Sequence, residues 1–426
     1  MNQFYLFDYL KNNTEIDKFK LDLLKSEIDL RVYSCGEYFK NNKETNNTRY
    51  FSCQMAYKTV LRNLYILYSI LNIKNKNSEG NILSNAFFYA NTELKKEGFN
   101  VFRPLHNVTL GWPIAGNFKI YINFLRISWK IETANFNYLI STKFLKKLDL
   151  FLNQLTEYYK YLNFKALIVP NDTSFFEQIN IEIFRRLKKP TFIFLHGLPG
   201  RYNAYDENQT DYLVVWGKKI KENYVKAGFN PNKIIISGHP FYQNLSGEIL
   251  KNNLSNILVL SRSLSGLQCR DKVRLPDRGN AIIYLYSIEK VLKALGVKSV
   301  RLRVHQSENL EWYYKFIDKD FFIPDRDILE TSLIKSTLVI GPTSTVFLEA
   351  LYYGVNYLVY EPVTDGLDLS GYVPVSPFDG SDNRVPVAKN ENELSLMLGS
   401  KKIVDSSVFY DYINTPFSLD FIKDLI

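Results

Sequence analysis

The sequence predicts an α/β protein made of two doubly wound parallel sheets, each covered by helices. Three observations predict it. Short apolar runs stopped by polar or glycine-rich loops recur between about residues 164 and 360, stretches of helical periodicity fill the gaps between them, and one polar stretch near residues 242–255 interrupts the rhythm. Strand, helix, strand with short connections implies parallel pairing, because a parallel neighbour is reached only through a crossover. A chain of 426 residues has room for two or three ordinary domains. With 46% apolar and 23% charged residues it has the composition of packed soluble domains and not of a disordered chain.

In chain order, the first hundred residues are rich in Asn and Lys, and residues 54–71 read as an amphipathic helix through Val60, Leu64, Leu67 and Leu71. The polar runs at 41–44 and 74–78 read as loops. Helical spacing over 147–161 precedes an apolar strand at 164–170, ended by Pro170 and the polar Asn171-Asp172-Thr173-Ser174. A helix over 175–187 and strands at 191–195, 212–217 and 233–238 complete the first unit. The second unit restarts with a strand at 257–260. It continues with a helix at 281–295, strands at 300–304 and 321–324, a helix at 328–336, a strand at 337–340, a helix at 345–353 and a strand at 357–360. The divisions are a first domain at 1–241, a hinge at 242–255, a second domain at 256–400 and a segment at 401–426 expected to pack back on the first domain.

Three cysteines, Cys35, Cys53 and Cys269, form neither a disulfide framework nor a zinc site. The opening residues show no secretory leader, and the apolar stretch 64–73 is half the length of a membrane span, so a cytoplasmic location is expected. The formal charge of +9 suits an anionic lipid, nucleotide or glycan partner. It is spread along the chain without an aromatic–basic repeat, so no nucleic-acid partner is expected. Walker, Gly-x-Gly-x-x-Gly and His-Glu-x-x-His motifs are missing, which removes support for P-loop ATPases, ordinary dinucleotide oxidoreductases and zinc proteases.

In open parallel sheets ligands sit at the carboxyl ends of the strands, so the loops there are the candidates for chemistry. Gly341-Pro342-Thr343-Ser344-Thr345 lies between a strand and a helix, where three hydroxyls suit an anion such as phosphate, or simple capping. Glu349, one turn on, is in reach of a ribose hydroxyl or is a solvated charge. Period two along 301–305 puts Arg301, Arg303 and His305 on one side, with His305 at the strand end as a phosphate or leaving-group contact. Ser261-Arg262-Ser263 occupies the same rim as a phosphate clamp or a plain turn. In the first unit Asp172 and His196 stand at equivalent strand ends, a carboxylate facing an imidazole, which is acid–base material or a local turn or cap. Gly197 allows backbone to approach a ligand closely. The Asp-x-Asp pairs at 318–320 and 325–327 read as a loop charge and a helix cap, not as a metal–diphosphate site.

Two doubly wound halves, a break between them, anion-binding loops in the second and acid–base residues in the first together resemble the GT-B glycosyltransferases, over roughly residues 160–365. Within that fold, His196-Gly197 after a strand, the strand-ending His305 and the Thr343-Ser344-Thr345 cluster are similar to bacterial enzymes of capsule, O-antigen and teichoic-acid synthesis. Transferases of CMP-activated acidic sugars carry a His-Pro motif and a Ser/Thr pair on the nucleotide. Here the first reads His305-Gln306, and a His-Pro at His239-Pro240 closes the first unit. Trp216-Gly217-Lys218-Lys219 is similar to a Trp-Gly-x-Lys element of the retaining transferases of 3-deoxy-manno-octulosonic acid (Kdo).

The resemblance implies transfer of an acidic sugar, Kdo ahead of other nonulosonic acids, from a CMP donor to a growing surface glycan on a lipid-linked or oligosaccharide acceptor. It implies no metal or other cofactor. The positive charge balance also suits peripheral contact with the cytoplasmic face of the inner membrane, through Lys18, Lys20 and Lys25 or the Lys74–Lys76 loop, with plain solvated surface as the favoured reading of these lysines. Arg262, Ser263, Arg303, His305, Ser307, Thr343, Ser344, Thr345 and Glu349 are then donor contacts, and Asp172 and His196 catalytic. Gly197, Lys218 and His239 complete the cleft. Teichoic-acid glycerophosphotransferases share these themes, so a CDP-alcohol donor stays open, as do UDP- or GDP-sugar transfer, nucleotide-sugar 2-epimerisation and a non-catalytic assembly scaffold.

Overall fold

In the computed structural model, which describes residues 9–10, 17–33, 48–71, 80–86, 88–202, 209–243, 245, 250–262, 278–305, 308–369 and 373–426, the apolar runs become buried parallel strands. Strands β1 (Asn81–Ser84), β2 (Asn100–Pro104), β3 (Ile114–Ala115), β4 (Ala166–Val169), β5 (Thr191–Phe194), β6 (Tyr212–Val215) and β7 (Ile234–Ile236) form one seven-stranded sheet in the order β3-β2-β1-β4-β5-β6-β7. A second sheet follows from β8 (Ile257–Leu260), β9 (Val300–Arg303), β10 (Phe322–Pro324), β11 (Leu338–Gly341) and β12 (Tyr357–Tyr360). A short hairpin of β13 (Val363–Thr364) and β14 (Leu367–Asp368) precedes its last strand, β15 (Val387–Ala388). Its order is β10-β9-β8-β11-β12-β15.

Every pairing within the two large sheets is parallel. Both orders run outward from the first strand, then reverse beside it. Each sheet therefore has a switch point, between β1 and β4 in the first and between β8 and β11 in the second, where adjacent loops diverge and leave a crevice.

Period two assigns the faces. On the first sheet Leu83, Phe102, Leu167, Ile193 and Leu213 point into one core, while Ile82, Val101, Ile168, Phe192 and Val214 point into another. The helix Thr142–Tyr161 covers the first face with a stripe of Phe144, Leu148, Phe151, Leu152, Leu155 and Tyr159. That core does not stop at the domain boundary. It runs on through Val404, Val408, Phe409, Tyr412 and Ile413 to Leu258 and Val339 of the second sheet and Phe347 of the helix after β11. Leu419 and Ile422 then join the other face of the first sheet. Backbone bonds fasten this returning segment, Asn414 N to Trp216 O at 2.7 Å and Ser418 N to Ser237 O at 2.9 Å.

The sequence reading differs from this fold at the start of the chain, where it expected helix and loops but three strands complete the first sheet. Those strands are two to five residues long and contain Ser84, Arg103 and Pro104, so neither a continuous apolar run nor a clean alternation marks them. The helix expected at 54–71 spans Thr48–Leu71. Among the described residues no helix is long and apolar enough to cross a membrane. The later part of the 242–255 stretch is tied to the second sheet, with Lys251 N on Gly354 O and Asn253 N on Thr337 O.

Candidate functional site

The carboxyl-end loops of the two sheets touch. The loop after β5 carries His196-Gly197-Leu198, the loop after β11 carries Thr343-Ser344-Thr345, and Leu198 N donates to Thr345 Oγ1 at 2.9 Å. A Cβ on Gly197 would lie 2.8 Å from that same hydroxyl, so only glycine permits the approach. A second bridge joins the halves one turn further along, where the Tyr242 hydroxyl donates to Glu349 Oε1 at 3.1 Å and the Tyr242 ring packs edge-on against Tyr352. Burial raises the pKa of Glu349, partly offset by the Tyr242 hydrogen bond. His196, Gly197, Thr343, Ser344, Thr345 and Glu349, read separately from the sequence, thus stand on one rim.

The hydroxyls of that cluster already have work in the protein. Helix Val346–Tyr352 starts after Thr345, Ser344 Oγ accepts from Val346 N at 3.2 Å, and Thr343 N donates to the buried Glu361. Arg262, expected as a donor contact, instead turns inward. Its guanidinium donates to Glu361 and, at 2.7 Å, to Asp368 of the β13–β14 hairpin. The reason is electrostatic, since a guanidinium this buried needs carboxylates beside it. Coulombic attraction to both outweighs its desolvation and raises its pKa.

Arg303 is likewise not an open contact. It donates to Asp325 Oδ2 at 2.9 Å and to the Asp327 carbonyl at 2.7 Å, and Arg301 shares Asp325 at 3.2 Å. Asp325 therefore anchors two arginines, Asp327 pairs with Lys335 and Asp318 with Lys293. The helix-cap position falls on Ile328, not on Asp327. His305 ends β9 with an exposed side chain, and its backbone N–H donates to Ser261 Oγ at 3.1 Å. Ser263, Ser307 and the Lys74–Lys76 loop lie outside the described residues. Lys20, read as solvated surface or a membrane contact, pairs with Asp149 at 2.7 Å.

On the first sheet, Asp172 is fully buried, and one of its oxygens accepts from Gln209 N at 2.7 Å. It closes a loop, tying the end of β4 to the segment before β6. His196 stays at the rim with an exposed ring; desolvation by its surroundings holds its pKa below the usual imidazole value, against a hydrogen bond to the Pro170 backbone. Lys218 is exposed at the start of helix Lys218–Lys226. Gly217 before it has a packing reason, because a Cβ there would lie 2.4 Å from the Tyr412 carbonyl.

His239, expected in the cleft, is buried in an aromatic cage. Ring centroids lie 4.2 Å away for Tyr242, 4.6 Å for Tyr89 and 4.8 Å for Trp216, and its Nδ1 accepts from Phe241 N. Burial pushes its pKa down to about 3. Unfolding restores an ordinary imidazole, so between about pH 6.5 and pH 3 the unfolded chain takes up a proton that the folded chain refuses, and stability falls with falling pH. The contribution is about 1.4 kcal/mol per pH unit. Urea melts at pH 7 and pH 5 should therefore show a smaller loss in His239→Gln than in the parent chain, and an equal loss would refute the neutral buried state.

The sequence reading missed a second constellation, at the switch point of the first sheet. Asn85 follows β1, His106 follows β2, and Glu177 sits in the first turn of helix Phe175–Arg186 after β4. Glu177 Oε1 lies 3.0 Å from His106 Nε2 and accepts from Asn85 Nδ2 as well. Burial raises the pKa of Glu177, but the hydrogen bond and charge of His106 outweigh it, and the net shift is downward, so the carboxylate stays ionised. The His106 ring stacks on Phe176 with centroids 5.3 Å apart. Next to it Arg103 is buried with no carboxylate partner among the described residues: it donates to the Ser84 and Ala86 carbonyls, and burial pushes its pKa down to about 10. No local motif could have revealed this group, since its members come from three separate loops.

Among the described residues no group of three His, Cys, Asp or Glu side chains could hold a metal ion. No protein-family model matches the chain, and no curated protein matches it. Among solved structures it is similar to the UDP-GlcNAc 2-epimerase of Neisseria meningitidis bound to UDP-GlcNAc, at 14% identity over 81% of this chain and 96% of that one, with a TM-score of 0.44. The wall teichoic acid polymerase TagF follows at 13% identity, 88% and 94% coverage and a TM-score of 0.41. HepE of Anabaena in complex with UDP and glucose has 10% identity, 81% and 97% coverage and a TM-score of 0.41.

Proposed function

We propose that the protein is a glycosyltransferase that moves a sugar from a nucleotide-activated donor to an acceptor hydroxyl, in the cleft between the two sheets. One observation carries the reading: both sheets have a switch point, and their carboxyl-end loops meet through Leu198 and Thr345. Two crevices on facing rims suit a reaction with two substrates, one held by each half. The donor belongs to the β8/β11 crevice, beside His305 and the Thr343–Thr345 loop. The acceptor belongs to the β1/β4 crevice. Apposed rims exclude water, which limits hydrolysis of the donor.

The donor we propose is a CMP-activated acidic sugar, Kdo first, on the similarity of the His-Gly, strand-ending His and Ser/Thr features. With Arg262 and Arg303 paired to carboxylates, recognition of the phosphate falls to His305 and to hydroxyl and backbone groups of the 343–345 loop. Calorimetric titration with CMP, CDP, UDP and GDP, with and without magnesium, tests this. Selective CMP binding is the expected result, and His305→Ala should weaken it about tenfold or more, as for a lost hydrogen bond to a charged group. Preference for CDP would transfer the reading to polyol-phosphate transfer, and for UDP or GDP to a conventional sugar donor. No binding by any of the four would overturn the enzyme reading in favour of an assembly scaffold.

A further inference from the structure

We propose that His106 is the proton acceptor for the attacking hydroxyl, held in the reactive tautomer by Glu177, with Asn85 and Arg103 binding hydroxyls of the acceptor sugar. The inference rests on the glycosyl-transfer reading and assigns its acceptor half.

The tautomer follows from the hydrogen bonds. Glu177 Oε1 is acceptor-only, and it faces both Nε2 of His106 at 3.0 Å and Nδ2 of Asn85. Asn85 Nδ2 also lies 3.1 Å from Nε2, but with that amide directed to the carboxylate an unprotonated Nε2 would still face the ionised Glu177 lone pair to lone pair, so Nε2 carries the hydrogen and both nitrogens donate to the one oxygen. The lone pair of the neutral ring is then on Nδ1, which takes no protein hydrogen bond among the described residues. The ring is held by Phe176 stacking on its face and by the carboxylate at its edge, with 13% of the side chain exposed. A buried carboxylate behind the imidazole stabilises the imidazolium that forms when Nδ1 takes a proton.

Two further atoms have no partner. Asn85 Oδ1, an acceptor, and Arg103 Nε, a donor, are both buried and unsatisfied, on residues that are 3% and 5% exposed. They belong to neighbouring strand ends, since β1 and β2 pair Leu83 with Phe102. Buried polar atoms left unpaired are costly, and those that persist at a ligand crevice are usually completed by the ligand. A hydroxyl both accepts and donates, so the hydroxyls of a sugar are the chemistry that meets both demands.

The step balances as a displacement. The acceptor O–H bond breaks with its proton going to His106 Nδ1, the oxygen's electron pair forms the bond to the anomeric carbon, and the carbon–oxygen bond to the donor phosphate breaks with its pair leaving on the phosphate. His106 is the catalytic residue of this step and Glu177 a positioning residue. The charged groups facing His106 are Glu177 on its ring, Arg103 from β2 and Arg62, whose guanidinium donates to its carbonyl.

The experiment measures nucleotide release from CMP-Kdo, UDP-GlcNAc and CDP-glycerol with galactose, N-acetylglucosamine and lactose present as acceptor sugars, with nucleotide affinity measured in parallel by calorimetry. In His106→Gln, release should fall 10²- to 10⁴-fold, the usual worth of a general base, while nucleotide affinity stays within twofold. Glu177→Gln should lower kcat about tenfold or more and move the rising limb of its pH profile to lower pH, because the imidazolium loses its counter-charge. A merely structural role for Glu177 would not move that limb. Should His106→Gln fail to fold, judged by its thermal melt, His106→Asn is read in its place. Turnover within threefold of the parent in either variant, or an unmoved pH limb in Glu177→Gln, overturns the assignment and leaves sugar transfer standing. A parent chain that releases no nucleotide from any of the donors overturns sugar transfer itself, and the assignment with it.

Discussion

Replacing Glu361 by alanine is expected to destabilise the protein by about 3–5 kcal/mol, the cost of removing one partner from a buried ion pair. Glu361 is 1% exposed, and it serves two groups at once, the Arg262 guanidinium and the Thr343 backbone N–H. Without it Arg262 keeps only Asp368 among these carboxylates, and the Thr343 N–H loses its acceptor. A loss of that size should lower Tm by roughly 3–6 °C in a chain of this length. Glu361→Gln separates the two roles, since its amide oxygen still accepts from Thr343 while the charge is gone, and it should recover part of the loss. The same alanine should loosen the 343–345 loop and weaken nucleotide binding beyond what stability alone explains. A change below about 1 kcal/mol would mean that the network is solvated surface, where ion pairs are worth little.

Gly238→Ala should cost about 3 kcal/mol, from two independent sources that add at one residue. Gly238 has φ +77°, a left-handed conformation that a Cβ disfavours, and the added Cβ would lie 2.3 Å from the Asn414 carbonyl oxygen. Backbone cannot move aside as a flexible side chain would. The returning segment must therefore shift, breaking its bonds from Asn414 to Trp216 and from Ser418 to Ser237. Limited proteolysis should find new cleavage near residues 414–418 in the variant. An unchanged melt with an intact tail would show that the segment is not held where the backbone bonds put it.

The legible parts of this fold are those written locally. Buried parallel strands are continuous apolar runs, so β4 to β12 and their helices stand in the sequence nearly where the structure has them. At the site, the loops after β5 and β11 are visible as His196-Gly197 and Thr343–Thr345, because the carboxyl ends of parallel strands are where ligands bind. What was not visible depends on partners distant in sequence. Arg262 reads as a phosphate clamp until Glu361 and Asp368, about a hundred residues on, are found beside it. Arg303 reads the same way until Asp325 is placed. The Asn85, His106 and Glu177 group is spread over 92 residues with no spacing pattern, and it stands on strands too short and too polar to announce themselves.

The returning segment also bears on biosynthesis. Leu419 and Ile422 cover the face formed by Ile82, Val101, Ile168 and Phe192, and Val404 to Ile413 lie in the core that joins the two sheets. On a ribosome the first sheet is complete once residue 236 has emerged, yet the residues that seal it are made nearly two hundred positions later. A nascent chain would hold this apolar face only partly covered, by Ala90 and Leu94 of helix Phe88–Lys96, through the synthesis of the entire second sheet, the interval in which collapsed intermediates aggregate or engage chaperones. The first half is thus not a domain that finishes before the second begins; the two reach the native state together, after residues 404–422 are free to dock.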